Sequence, residues 1–116
     1  MARLTPSMLD AVAERFRILG EPMRLKILHA LREGERTVND LVEVTGGGQA
    51  NVSKHLQLLH QQGFVRRRKV GTSTRYAIQD PEVFQLCDLV CGSVEEELER
   101  RRQALRAAPR RSSARR

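Results

Sequence analysis

The 116-residue chain carries 21 Lys/Arg against 14 Asp/Glu, only 3% aromatic residues and no Trp. That length supports one domain with one core, and an aliphatic core of mainly Leu, Val and Ala leans towards helices rather than a β-sandwich. No run approaches the ~18 consecutive apolar residues of a membrane span, Glu14 and Arg15 close off Leu9–Val12 before it can serve as a signal peptide, and two cysteines four apart make no secreted disulfide framework, so a cytoplasmic protein without a membrane partner is expected.

In chain order, Thr5-Pro6 offers an N-cap with proline at the first helical position, and Met8, Leu9, Val12, Ala13, Phe16 and Leu19 follow at helical spacing up to Gly20. A second helix starts at Glu21-Pro22, buries Leu25, Ile27, Leu28 and Leu31, and closes at Gly34. Thr37 and Asp40 form a capping box for a third, short helix that stops at Gly46-Gly47-Gly48. A fourth runs from Gln49 to about Gln62, with Val52, Leu56 and Leu59 facing inward and Gly63 behind it. Phe64–Val70, the turn Gly71-Thr72-Ser73 and Thr74–Ile78 read as a β-hairpin.

Asp80-Pro81 is expected to cap a last helix whose apolar stripe is Val83, Leu86, Cys87, Val90, Cys91, Val94 and Leu98. Acid-first pairs Glu96–Arg100 and Glu97–Arg101 extend this helix to about Leu105. One globular unit is expected over residues 1–106. Residues 107–116 read as a disordered Arg-rich tail, fit either to raise non-specific DNA affinity or only to aid solubility.

Charge is not spread evenly over these elements. Residues 44–79 contain no Asp or Glu but six Lys/Arg (Lys54, Arg66, Arg67, Arg68, Lys69 and Arg75), whereas residues 1–43 with 80–99 carry all fourteen acids against seven bases. An ordinary soluble surface intersperses the two signs; a surface without acids suits a polyanion. The basic stretch covers the fourth helix and the hairpin. Helix, glycine turn and a helix with a polar outer face make a helix-turn-helix, whose second helix enters the major groove by its N-terminal residues.

Gln49 and Asn51 stand at that end, and a carboxamide matches the adjacent donor and acceptor of adenine N6 and N7. Ser53 can serve base or phosphate, and Lys54 supplies charge to the backbone. Along the hairpin, Arg68, Lys69 and Arg75 neutralise phosphates, while Thr72 and Ser73 donate hydrogen bonds. The fold expected is therefore mainly α with a small β-hairpin wing, a winged helix-turn-helix that binds double-stranded DNA.

The segments Leu19-Gly-Glu-Pro-Met-Arg-Leu-Lys-Ile-Leu28, Gln49-Ala-Asn-Val-Ser-Lys-His-Leu56 and Gly63-Phe-Val-Arg66, with the hairpin ending Arg75-Tyr76, resemble the ArsR/SmtB family of bacterial transcriptional repressors over roughly residues 8–98. The resemblance implies a homodimer paired through the first and last helices, which binds an inverted-repeat operator and releases it when an effector binds. It also implies that Gln49, Asn51, Ser53, Lys54 and His55 are recognition-helix contacts. Ala50 departs from the serine often found at its position. The family's third-helix thiolate motif corresponds here to Thr37–Val42, which holds no Cys, and no histidine follows His60 to build the zinc site of the last helix.

Cys87 and Cys91 remain as candidate effector or redox residues. At i, i+4 their Cβ atoms lie about 5–6 Å apart, whereas a disulfide needs about 3.8 Å. A thiophilic metal or metalloid fits that spacing better, and a second copy could add ligands or pair thiols between chains. Against this stands plain packing, since a buried free Cys behaves as a small hydrophobe. No cofactor is required and no catalytic role is expected, because Ser53 and His55 at i, i+2 point apart. Two alternatives stand beside the sensor: an effector-independent repressor of the same fold, and a protein-interaction module whose last helix pairs with another protein.

Overall fold

The computed structural model describes residues 3–108. The order is α1 (Pro6–Leu19), α2 (Pro22–Leu31), β1 (Arg36–Thr37), α3 (Val38–Thr45), α4 (Gln49–Gln61), β2 (Val65–Val70), β3 (Ser73–Ile78) and α5 (Val83–Ala107). Contacts divide the chain after Pro81 into two compact units, Met1–Pro81 and Glu82–Arg116, each described by itself. The Arg-rich tail beyond residue 108 lies outside the described residues, and Ala107, expected in that tail, belongs to α5.

Local signals set most helix ends of the first unit. Thr5 Oγ1 accepts the Met8 N–H at 3.2 Å ahead of Pro6, and Glu21 Oε1 accepts the Arg24 N–H at 3.1 Å ahead of Pro22, two side-chain caps with proline at the first helical position. The capping box forms as read: Thr37 Oγ1 accepts from the Asp40 N–H and Asp40 Oδ2 from the Thr37 N–H, both at 3.1 Å. The Thr37 N–H, with the Thr37 hydroxyl second, holds the Asp40 carboxyl below its usual range. Gly46 ends α3 in the left-handed region at φ 77°, which costs glycine little.

The hairpin pairs Val65 with Ile78 and Val70 with Ser73, so the turn is only Gly71-Thr72 and Ser73 opens β3 instead of sitting in the turn. Of the two turn residues only Gly71 takes a positive φ, 62°, as a type II′ hairpin requires at its first central residue. Two residues missed by the sequence reading, Arg36 and Thr37, form β1, which pairs antiparallel with β3 and makes a three-stranded sheet of order β1-β3-β2. Ile27, Leu28, Leu41, Val52, Leu56 and Leu59 are all fully buried and form the heart of the core, drawn from α2, α3 and α4.

Taken by itself, α5 is a 25-residue helix. Asp80-Pro81 does not cap it. The Gln79 and Asp80 N–H groups still donate to the Phe64 carbonyl, so the chain is closing the hairpin there and the helix begins only at Val83, after Glu82. Arg101 pairs with Glu97 as expected, but Arg100 reaches the same Glu97 rather than Glu96. Val83 and Phe84 are buried, while Leu89, Val90, Val94 and Leu98 are between 50% and 73% exposed.

Candidate nucleic-acid interface

Helix α4 is amphipathic by construction. Val52, Leu56 and Leu59 fix its inner face, and the outer face then presents Gln49, Asn51, Ser53 and Lys54, all exposed. Gly48 provides the N-cap without a side-chain bond, so the first-turn N–H groups are not taken up by a capping side chain. Gln49 and Asn51 at that end hold the only side chains of the first turn that combine donor and acceptor.

His55 does not join them. It lies three residues after Val52 and four before Leu59, which puts it on the inner face, and it is 8% exposed. Its Nδ1 stands 3.0 Å from Nη1 of the buried Arg24 of α2. The expected recognition contact at His55 is corrected accordingly: a ring turned into the core has no reach to a base edge.

On the wing, strand alternation sorts the cations onto two faces. Arg66, Arg68 and Arg75 share one face, with Arg68 directly opposite Arg75 in the ladder; Arg67 and Lys69 share the other. Like charges directly opposite on adjacent strands repel. Glu35, in the loop before β1, relieves that repulsion: both its oxygens accept from Arg68, at 2.7 and 2.8 Å. The Arg68 guanidinium, helped by Arg75 and Arg66, holds the Glu35 carboxyl below its usual range.

Arg68 is therefore an engaged cation, and half-buried Arg75 lies across the ladder from it. Lys69 and Thr72 are exposed, and Ser73 is half-buried at the start of β3. The reading from sequence missed Arg67, which is exposed and shares a face with Lys69; its i, i+2 spacing from Lys69 was the available signal. It also missed Glu35, whose pairing with Arg68 spans 33 positions and leaves no local trace.

On α5, Cys87 is half-buried and Cys91 exposed, and neither is in a disulfide. The packing reading of Cys91 thus finds no burial within one chain. No group of three or more metal-ligating side chains is gathered among the described residues. Leu9, Val12 and Phe16 form an exposed apolar stripe on α1, as Leu89, Val90, Val94 and Leu98 do on α5.

Three helices ending in a polar, amphipathic second helix of the turn motif, followed by a basic antiparallel hairpin, define a winged helix-turn-helix protein. The chain belongs to the ArsR family: the sequence model of "Bacterial regulatory protein, arsR family" matches residues 21–67. A probable mercury resistance operon repressor of Streptomyces lividans is 43% identical over 77 residues, covering 66% of this chain and 62% of its own.

Among solved structures, a homodimeric winged helix-turn-helix DNA-binding domain of Mycobacterium bovis, a possible ArsR-family regulator, is 34% identical with a TM-score of 0.73, covering 86% of this chain and 93% of that one. The antimony-specific transcriptional repressor AntR is 31% identical with a TM-score of 0.72, covering 85% and 90%. The chain spans about three fifths of the length of the first curated relatives it matches.

Proposed function

We propose that this protein is a cytoplasmic transcriptional repressor that binds an inverted-repeat DNA operator as a homodimer and has no catalytic role. The observation that carries the reading is the exposed row Gln49, Asn51, Ser53 and Lys54 on α4 beside a wing without acids of its own. Gln49 and Asn51 read base edges; Ser53, Lys54, Arg67, Lys69, Thr72 and Ser73 meet phosphates, with Arg75 adding charge. The apolar stripes of α1 and α5 support pairing of two copies, as does the likeness to a homodimeric domain.

Selection of duplexes from a random-sequence pool tests this reading. The expected product is a two-fold symmetric consensus with half-site centres about one helical turn apart or a multiple of it. A pool that shows no enrichment, or an asymmetric single site, contradicts it.

A second reading, release of the operator by thiol chemistry, is favoured by Cys91 being exposed one turn from Cys87. Two thiolates are soft donors for a thiophilic metal or metalloid, and a second copy of the chain would complete the ligand set. The mercury and antimony named for two relatives point the same way. Release by mercuric ion or antimonite from the wild-type protein, and none from Cys87→Ser or Cys91→Ser, is expected. Equal release in all three would assign the cysteines to packing, and release in none would favour an effector-independent repressor.

A further inference from the structure

The recognition helix is tied to the rest of its unit by one buried polar cluster that the DNA contacts do not use. Arg24 is 7% exposed, an uncommon place for a guanidinium unless its donors are met. Its Nε donates to the Ile18 carbonyl in the last turn of α1 and its Nη1 reaches His55 Nδ1 in the middle of α4. A guanidinium can only donate, so in this pair Nδ1 is the acceptor, which leaves the ring N–H on Nε2. Glu21, which caps α2 through the Arg24 N–H, stands 3.9 Å from that Nε2.

Three helices thus meet on one side chain: the end of α1, the start of α2 and the centre of α4. The same start of α2 also touches the turn of the motif, where a Cβ added at Gly47 would lie 3.0 Å from the Met23 methyl and 3.1 Å from Val52. Apolar contacts alone allow a helix to slide or roll by small amounts. A bond with fixed direction to the inner face of α4 sets its rotation, and with it the direction in which Gln49 and Asn51 point.

We infer that the Arg24–His55 pair is a positioning device for the recognition helix, which fixes its rotation about its own axis and thereby gives sequence-specific DNA binding while contributing nothing to non-specific binding. The inference rests on the DNA-binding reading. The two residues touch no DNA; they act through Gln49 and Asn51.

The distinguishing measurement is a ratio. Non-specific binding depends on the count of cations, whereas specific binding also needs the base-reading side chains in register. Affinities are measured for a duplex selected by the wild-type protein and for the same duplex with its sequence scrambled, at fixed salt, with folded protein verified by circular dichroism.

Arg24→Lys keeps the charge but replaces the rigid fork, whose Nε and Nη1 face Ile18 and His55 separately, with one ammonium nitrogen that cannot occupy both donor positions; it is expected to lose about tenfold in affinity for the selected duplex with the scrambled one unchanged. His55→Leu removes the acceptor and is expected to behave the same. His55→Asn, which offers an oxygen near the place of Nδ1, is expected to recover most of the loss.

Parallel loss on both duplexes would overturn the inference in favour of a merely structural role, and so would wild-type ratios in Arg24→Lys and His55→Leu. Should the leucine variant fail to fold, Arg24→Lys and His55→Asn still decide. Absence of salt-dependent binding by the wild-type protein to either duplex would overturn the DNA-binding reading itself.

Discussion

Glu35 is a carboxylate placed where a phosphate is expected to sit. On the proposed reading, its two bonds to Arg68 compete with DNA for that guanidinium. Glu35→Gln releases the cation, so its affinity for any duplex is expected to rise, and the slope of log affinity against log salt to steepen by roughly 0.9. An unchanged slope in a salt titration would show that Arg68 leaves Glu35 on binding or never meets DNA.

The same pair carries a pH dependence. Because the carboxyl is depressed in the folded state, its contribution to stability is present above the ordinary value of 4.5 and is lost as pH falls through the lower folded one. Melting curves of wild type and Glu35→Gln are therefore expected to differ at neutral pH and to converge under acid. At this scale the sequence was a partial guide. The position of His55 between Val52 and Leu59 already placed it inward by helical period, but family likeness pulled it to the DNA face. Arg68's partner was not legible, since nothing local marks a contact made by folding.

Among the elements, those with a chemical start and stop were legible: Thr5-Pro6 and Glu21-Pro22 open helices, and the Thr37–Asp40 box and Gly46 bracket α3. Thr37→Ala removes one half of that box and is expected to cost about 1 kcal/mol in chemical denaturation. Leu56→Ala, at a fully buried site on the inner face of α4, is expected to cost about 2–5 kcal/mol in the same measurement.

What the sequence hid depends on pairing at a distance. A two-residue strand such as β1 has no periodicity of its own and exists because β3 offers it an edge. The late start of α5 has the same origin: Asp80-Pro81 is a good local cap, overridden by the backbone bonds that Gln79 and Asp80 donate to Phe64.

Across the whole chain, two kinds of surface answer two needs. The basic elements, α4 with β2 and β3, carry six Lys/Arg and no acid between residues 44 and 79, and of these cations only Arg68 is held by a carboxylate, Glu35, among the described residues. The apolar stripes of α1 and α5 leave large side chains exposed, with Phe16 at 54% and Leu89 at 73%. Phe16→Asp is expected to shift the protein towards monomer in sedimentation velocity and to weaken operator binding with it, since a symmetric site is read by two copies together. A dimer that persists would move the pairing surface away from α1.

The central claim is that α4 and the wing form a DNA-binding face, and charge reversal at its unpaired cations tests it most directly. Lys54→Glu combined with Lys69→Glu leaves the core and the apolar stripes untouched. The account predicts that this double variant keeps the wild-type oligomeric state and melting temperature while its binding to the selected duplex, followed by fluorescence anisotropy, disappears. Retention of wild-type affinity by the folded double variant would contradict it.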